Sequence, residues 1–276
     1  MSAVRETLVI EAGRTERHYW SDLWRYRELF MMLTWRDILV RYKQTVMGVT
    51  WALIRPLVAV AVFTFVFGKL AKLPSDGAPY PLLVAVAMLP WQFFTSGLGE
   101  ASNSLINNAN MISKVYFPRI IIPTSAVIVS LVDMLISSAI VIALLAWYGI
   151  VPGARVLALP LFVLLGFGAA IGGGLWFAAL NVKYRDFRYI VPFVLQLGLY
   201  VSPVGFSSSI VPEHWRLVYS LNPMVGVIDG VRWSLLGDST TMYWPGLALS
   251  VGLIAIVLAA GIAFFRRTEK SFADVI

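Results

Sequence analysis

The chain has 276 residues, of which 59% are hydrophobic and 13% charged, with a formal net charge of +7 and a mean hydropathy of +0.77. An average soluble domain carries about 25% charged residues, so these numbers exclude a soluble domain and define an all-α integral membrane protein. Cysteine is absent, which excludes disulfides and thiolate metal sites. The high pI of about 9.7 invites a nucleic-acid reading, but the basic residues flank apolar segments and topology explains them better.

The opening residues carry Glu6, Glu11 and Glu16 among scattered Arg, with no apolar core, so no cleavable signal peptide is expected. Residues 1–21 read as a cytoplasmic segment. Residues 22–44 read as an amphipathic interfacial helix. On a helical wheel Trp24, Met31, Trp35, Ile38, Leu39 and Tyr42 fall in an arc of about 100°, interrupted by Glu28. Such a helix lies in the cytoplasmic headgroup layer with its Trp and Tyr at the interface. Arg41, Lys43 and Arg55 then stand where acidic headgroups or a lipid diphosphate would sit. Positive-inside anchoring is the simpler account of any single one.

A crossing needs about 20 mainly apolar residues. Within residues 45–266 six stretches meet or approach that length: 51–67, 81–98, 120–147, 156–180, 190–204 and 243–265, the first and fifth being short. Pro74, Gly77, Pro79, Gly149, Pro152 and Gly153 punctuate the gaps. Of the 22 Lys and Arg, only Lys69, Lys72, Arg155, Arg216 and Arg232 fall opposite the side that bears the termini. The positive-inside rule therefore places both ends, including the tail at 267–276, in the cytoplasm. Segment 205–241 alternates short apolar runs with Pro203, Pro212, Asn222-Pro223, Gly226 and Gly230 at its edge and within it. It reads as two short re-entrant helices dipping from the outer face, with an amphipathic surface loop as the alternative.

Charge inside a span is expensive. Asp133 in the third span is expected to hydrogen-bond within the bundle, since no intramembrane His or acidic pair continues a proton relay. Glu100 lies near the inner end of the second span. Asp229 and Arg232, three apart on a helix, are expected to pair. The small residues of 168–174 permit close helix approach.

Four segments carry a resemblance: RDILVRYKQTVMGVTWALIRPL at 36–57, NNANMISKVYFPR at 107–119, NVKYRDFRYIVP at 181–192 and LNPMVGVIDGVRW at 221–233. From about Leu23 onward the chain resembles the membrane subunit of a polysaccharide-exporting ABC transporter of the type-2 exporter class, which includes the permeases for O-antigen, capsule and teichoic acid. The resemblance implies a homodimer in the bacterial inner membrane, seated on separate nucleotide-binding subunits. Those subunits bind ATP and Mg²⁺ and drive export of a glycan on an undecaprenyl-diphosphate lipid. This chain needs no cofactor of its own and is not an enzyme. In keeping with that division, it has no G-x-x-x-x-G-K-[ST] phosphate loop; Gly68-Lys69 lacks the upstream Gly and the following Ser or Thr.

By the same resemblance, Ser113, Lys114, Tyr116, Tyr184, Arg185 and Asp186 belong to cytoplasmic coupling elements that touch the ATPase. Arg185 and Asp186 serve equally well as the cap and anchor of a tight turn. Phe63, Phe67, Trp91, Phe94, Phe193 and Tyr200 are the aromatics expected to line a conduit, where sugar C–H faces slide over rings. Other readings are a permease exporting a drug or lipid, and a membrane-embedded glycosyl or phosphoglycosyl transferase. The transferase needs clustered acids at a cytoplasmic mouth, and no D-D or D-x-x-D grouping stands there. His18 and His214 are far apart on opposite sides and suggest no metal site. An ion-driven carrier with duplicated halves finds no support in internal repeats.

Overall fold

A computed structural model describes residues 19–43 and 48–272, and every regular element among them is helical. Most of the expected N-terminal segment, the stretch 44–47 and the end of the tail lie outside the described residues. The chain begins with α1 (Tyr19–Arg25) and α2 (Arg27–Lys43). These form one rod interrupted at Tyr26, where the ladder still continues through Tyr26 N–H to Asp22 O and Phe30 N–H to Tyr26 O. Leu33 is buried and Leu29 and Phe30 are half-buried against the bundle. Trp24, Met31, Trp35 and Leu39 of the predicted arc point outward.

Five segments are long and apolar enough to cross a membrane: Thr50–Leu70, Tyr80–Asn107, Ile121–Trp147, Ala154–Lys183 and Trp244–Thr268. The first comprises α3 (Gly48–Phe63) and a π-helical end at Thr64–Leu70. The others are built on α4 (Tyr80–Asn107), α6 (Ile121–Trp147), α7 (Leu159–Lys183) and α11 (Trp244–Thr268). A single turn, α5 (Ala109–Ile112), separates α4 from α6. The fifth predicted span corresponds to α8 (Phe187–Val201), whose 15 residues extend only about 22 Å against a hydrocarbon core of about 30 Å. Short helices α9 (Glu213–Tyr219) and α10 (Pro223–Leu236) follow.

Local signals set several of these boundaries. Gly149, with φ +68°, ends α6: its N–H bonds Ala146 O, and Ile150 N–H bonds Leu145 O. That is the paired bonding of a Schellman stop, which needs a left-handed residue at this place. Asn222 starts α10, its side chain accepting from Met224 N–H at 3.1 Å with Pro223 at the first helical position.

The core is built on α4, whose face from Leu82 to Met88 is buried without a break. Contacts at small residues fix the relative directions of the helices. Along α7, Gly166, Ala170 and Gly174 meet Phe93, Gly97 and Ala101 of α4 in ascending order, so these two helices run parallel. Gly168 faces Ile254, Gly172 faces Leu258, and Trp176 stacks on Phe264 at 5.0 Å, so α11 also runs parallel to α7. By contrast Gly198 of α8 abuts Trp91 while Leu195 approaches Gly99, making α8 antiparallel to α4. A Cβ at Gly172 would sit 2.8 Å from the Leu258 backbone, so α7 and α11 touch main chain to main chain, the approach small residues permit in lipid.

Candidate functional site

Near one end of the bundle, α2 is fastened to α4 and α6 by charge. Arg41 donates to Asp133 Oδ2 at 2.8 Å and to Glu100 Oε1 at 2.7 Å, and the Tyr42 hydroxyl donates to Asp133 Oδ1. Burial, reinforced by the Asp133 carboxylate it donates to, pushes the Tyr42 hydroxyl above its ordinary value. Asp133 is thus a hydrogen-bonded bundle residue as expected. Its two donors come from the amphipathic helix more than 90 residues away. Arg41 was expected as a headgroup or diphosphate cation; its guanidinium is instead engaged by two carboxylates. Lys43 and Arg55 are exposed.

Beside this cluster lies a cavity of about 440 Å³ lined by Arg41, Tyr42, Arg55, Gln92, Asp133 and Ser137 among others. Its α3 wall contains Pro56, which has no N–H and so leaves the carbonyl of Ala52 without its helical partner. Ser137 of α6 supplies that bond, its hydroxyl donating to Ala52 O at 3.0 Å. In a membrane every freed backbone group must be satisfied internally, and here a neighbouring helix does it.

At the other end, the turn after α8 places Val204, Gly205 and Phe206 carbonyls beyond the reach of helical bonding. Arg232, 2% exposed, donates to Phe206 O at 3.0 Å, to Val204 O at 3.2 Å and to Leu83 O at 3.3 Å. Tyr80 donates to Gly205 O at 2.5 Å, and Asn222 donates to Ser202 Oγ at 2.8 Å. The expected Asp229–Arg232 pair is present at 3.9 Å, though the backbone takes most of the guanidinium's donors. Burial pushes the Asp229 carboxyl up, opposed by Arg232 and a bond from Ser208, and pulls the Arg232 guanidinium down.

The six predicted aromatics gather around α8 and the turn that follows it. Phe63 and Phe67 lie 5.4 Å apart and close over Gly205, where any Cβ would strike both rings. Phe193 and Tyr200 project from α8 with 61% and 63% exposure. Trp91, 5.7 Å from half-buried Phe94, differs from the expectation: it is 5% exposed because its indole wedges against Gly198. In the protomer it supports α8 from behind.

The predicted coupling residues stand at the end where α4, α7 and α11 terminate. Ser113, Lys114 and Tyr116 are exposed on a loop pinned on either side by buried Ile112 and Phe117. Tyr184, Arg185 and Asp186 are exposed between α7 and α8, and Asp186 makes no side-chain cap at the start of α8. Glu269, just after α11, ties this end together. It accepts from Arg119 N–H at 2.7 Å and from Tyr19 Oη at 3.0 Å, and its carbonyl accepts from the Arg119 guanidinium. Arg266 lies over the Tyr19 ring at 4.5 Å. Arg119, just before α6, is thereby tied to α1 and to the chain after α11.

Sequence reasoning did not anticipate Tyr42, Ser137, Tyr80 or Glu269. Only Ser137 carried a signal, a small polar residue one turn beyond Asp133 and able to face a proline-bearing neighbour.

A helical bundle with five segments long enough to cross a membrane, an ion-paired helix and exposed loops at one end and two short helices at the other defines a polytopic membrane protein. The profile of the ABC-2 type transporter family matches residues 28–236, and the chain belongs to that family. It is the membrane component of an ABC transporter, whose nucleotide-binding component is a separate partner. Among curated relatives, it is 27% identical over 250 residues to the O-antigen export system permease protein RfbA of Klebsiella pneumoniae, covering 90% of this chain and 95% of that one. It is 28% identical over 257 residues to the protein of the same name from Myxococcus xanthus, covering 92% and 98%.

Proposed function

We propose that this chain is the permease subunit of an O-antigen exporter, moving a polysaccharide on an undecaprenyl-diphosphate lipid outward across the bacterial inner membrane. The observation that carries the reading is the near full-length match to O-antigen export permeases. Capsule and teichoic acid are the other cargoes compatible with the same site.

In this reading the protomer crosses six times, with both termini in the cytoplasm. Parallel α7 and α11 support it, because the chain between two parallel spans must cross once in the opposite sense, and α8 with its following turn has that sense. Helices α9 and α10 then form the re-entrant outer hairpin. Two protomers pair so that Phe193 and Tyr200, with Phe63, Phe67 and Phe94, face the conduit, and Trp91 braces its wall. Lys43 and Arg55 meet the lipid diphosphate, since Arg41 is committed to Glu100 and Asp133. The loops bearing Ser113, Lys114, Tyr116, Tyr184, Arg185 and Asp186 rest on the ATPase, which binds ATP and Mg²⁺. Deleting the encoding gene tests the function. Surface O-polysaccharide disappears and lipid-linked polymer accumulates inside, both reversed by complementation; unchanged surface polymer refutes it.

A further inference from the structure

We propose that the outer pocket between the turn following α8, α9 and the start of α11 is a binding subsite for one neutral pyranose unit of the emerging glycan, an assignment that rests on the glycan-export reading above. The pocket has a volume of about 230 Å³, and its lining includes Asp76, Ser208, Tyr219, Asp229, Thr241 and Tyr243. That is room for a single sugar ring.

Its chemistry is specific. Asp76 and Asp229 are balanced by Arg216 and Arg232 in the same wall, so the pocket favours an uncharged ligand over a phosphate or a metal ion. Both guanidiniums are already spent on backbone: Arg216 donates to Val211 O at 3.0 Å and to Ser209 O at 3.3 Å, and Arg232 holds the turn after α8. The rest of the polar lining is carboxylates and hydroxyls. This is an acceptor-rich set suited to adjacent sugar hydroxyls, with the rings of Tyr219 and Tyr243 available to apolar C–H faces. The Tyr219 hydroxyl is buried and finds no protein partner. A buried polar group without a partner calls for a specific explanation, such as a ligand or bound water. A sugar hydroxyl answers it.

The position gives the subsite a consequence. Asp76 accepts from Ser209 Oγ at 2.9 Å and from Ser207, and Ser208 lines the pocket together with Asp229. These three serines directly follow the turn whose carbonyls Arg232 and Tyr80 hold. A sugar seated in the pocket bears on the outer end of α8 through that stretch.

Saturation-transfer NMR on the permease–ATPase complex in nanodiscs tests the assignment. The probes are D-glucose, D-galactose, D-mannose, L-rhamnose and N-acetylglucosamine, with glycerol as the control polyol. Tyr219→Phe removes a single oxygen and preserves the packing. The expected result is transfer to at least one sugar and not to glycerol, weakened by about five- to tenfold in Tyr219→Phe, as loss of one hydrogen bond implies. Three outcomes overturn it: no transfer to any sugar, equal transfer to glycerol, or undiminished transfer in Tyr219→Phe. Any of these in a complex whose gene is required for surface polymer removes the subsite and leaves the export function standing.

Discussion

Ser137 and Pro56 show how a single hydroxyl repairs a helix that its own sequence damages. Ser137→Ala strands the Ala52 carbonyl and should cost about 1 kcal/mol, the scale measured for interhelical hydrogen bonds in membranes. Pro56→Ala restores an N–H to Ala52, so in that background Ser137→Ala should cost almost nothing. Unfolding of the four variants in detergent gives the coupling, and an equal cost in both backgrounds contradicts the repair. The Arg41 cluster makes a graded claim. Glu100 is half exposed, so Glu100→Ala should cost less than about 1 kcal/mol. Asp133→Ala removes the acceptor of both Arg41 and Tyr42 and should cost about 2 kcal/mol; the reverse ranking in the same assay would show that α2 is held by other contacts. A charge in mid-span announced Asp133 from the sequence, whereas Tyr42 was assigned to a lipid-facing arc. Its partner became visible only when α2 folded back across α6.

Helix-scale packing rests on small residues. Gly172 lies against the Leu258 main chain, which cannot move aside as a flexible side chain can. Gly172→Leu should therefore cost about 3 kcal/mol and abolish monodisperse protein on size exclusion, while leucine at Gly252, which meets nothing within 4 Å, should be tolerated. Equal behaviour of the two contradicts the parallel contact of α7 and α11. Apolar length read directly from the sequence found four of the long spans, because bilayer thickness sets a threshold that composition reports; the first, read as short at 51–67, runs over 21 residues from Thr50 to Leu70. The same rule marked the fifth stretch as short, and α8 is indeed only 15 residues. What composition could not supply was direction and neighbour. The glycines of 168–174 said that some helix comes close to α7, and the fold identifies α4 and α11. Trp91 illustrates the corresponding error: an aromatic in the middle of α4 reads as conduit wall, and only the Gly198 notch shows that it is packing.

Whole-molecule organisation separates two ends with different tasks. At one, Glu269 unites α1, Arg119 and the chain after α11; at the other, Arg232 and Tyr80 secure the turn that closes α8. Because the chain has no cysteine, single cysteines report sidedness cleanly. Ser113→Cys should react with an impermeant maleimide only in inverted vesicles, and Ser209→Cys only in right-side-out ones. Labelling of both from one side contradicts the six-crossing topology. The two-ended arrangement was partly legible in the distribution of Lys and Arg. The links between segments 150 residues apart, such as Arg119 to Glu269, were not, since nothing in local pattern specifies them.

A conduit that borrows its energy is tested most directly by reconstitution. Proteoliposomes containing this chain with its ATPase partner should translocate radiolabelled lipid-linked O-polysaccharide on addition of ATP and Mg²⁺, and neither protein alone should do so. ATP hydrolysis by the purified chain by itself, or polymer translocation without the ATPase, would contradict the account.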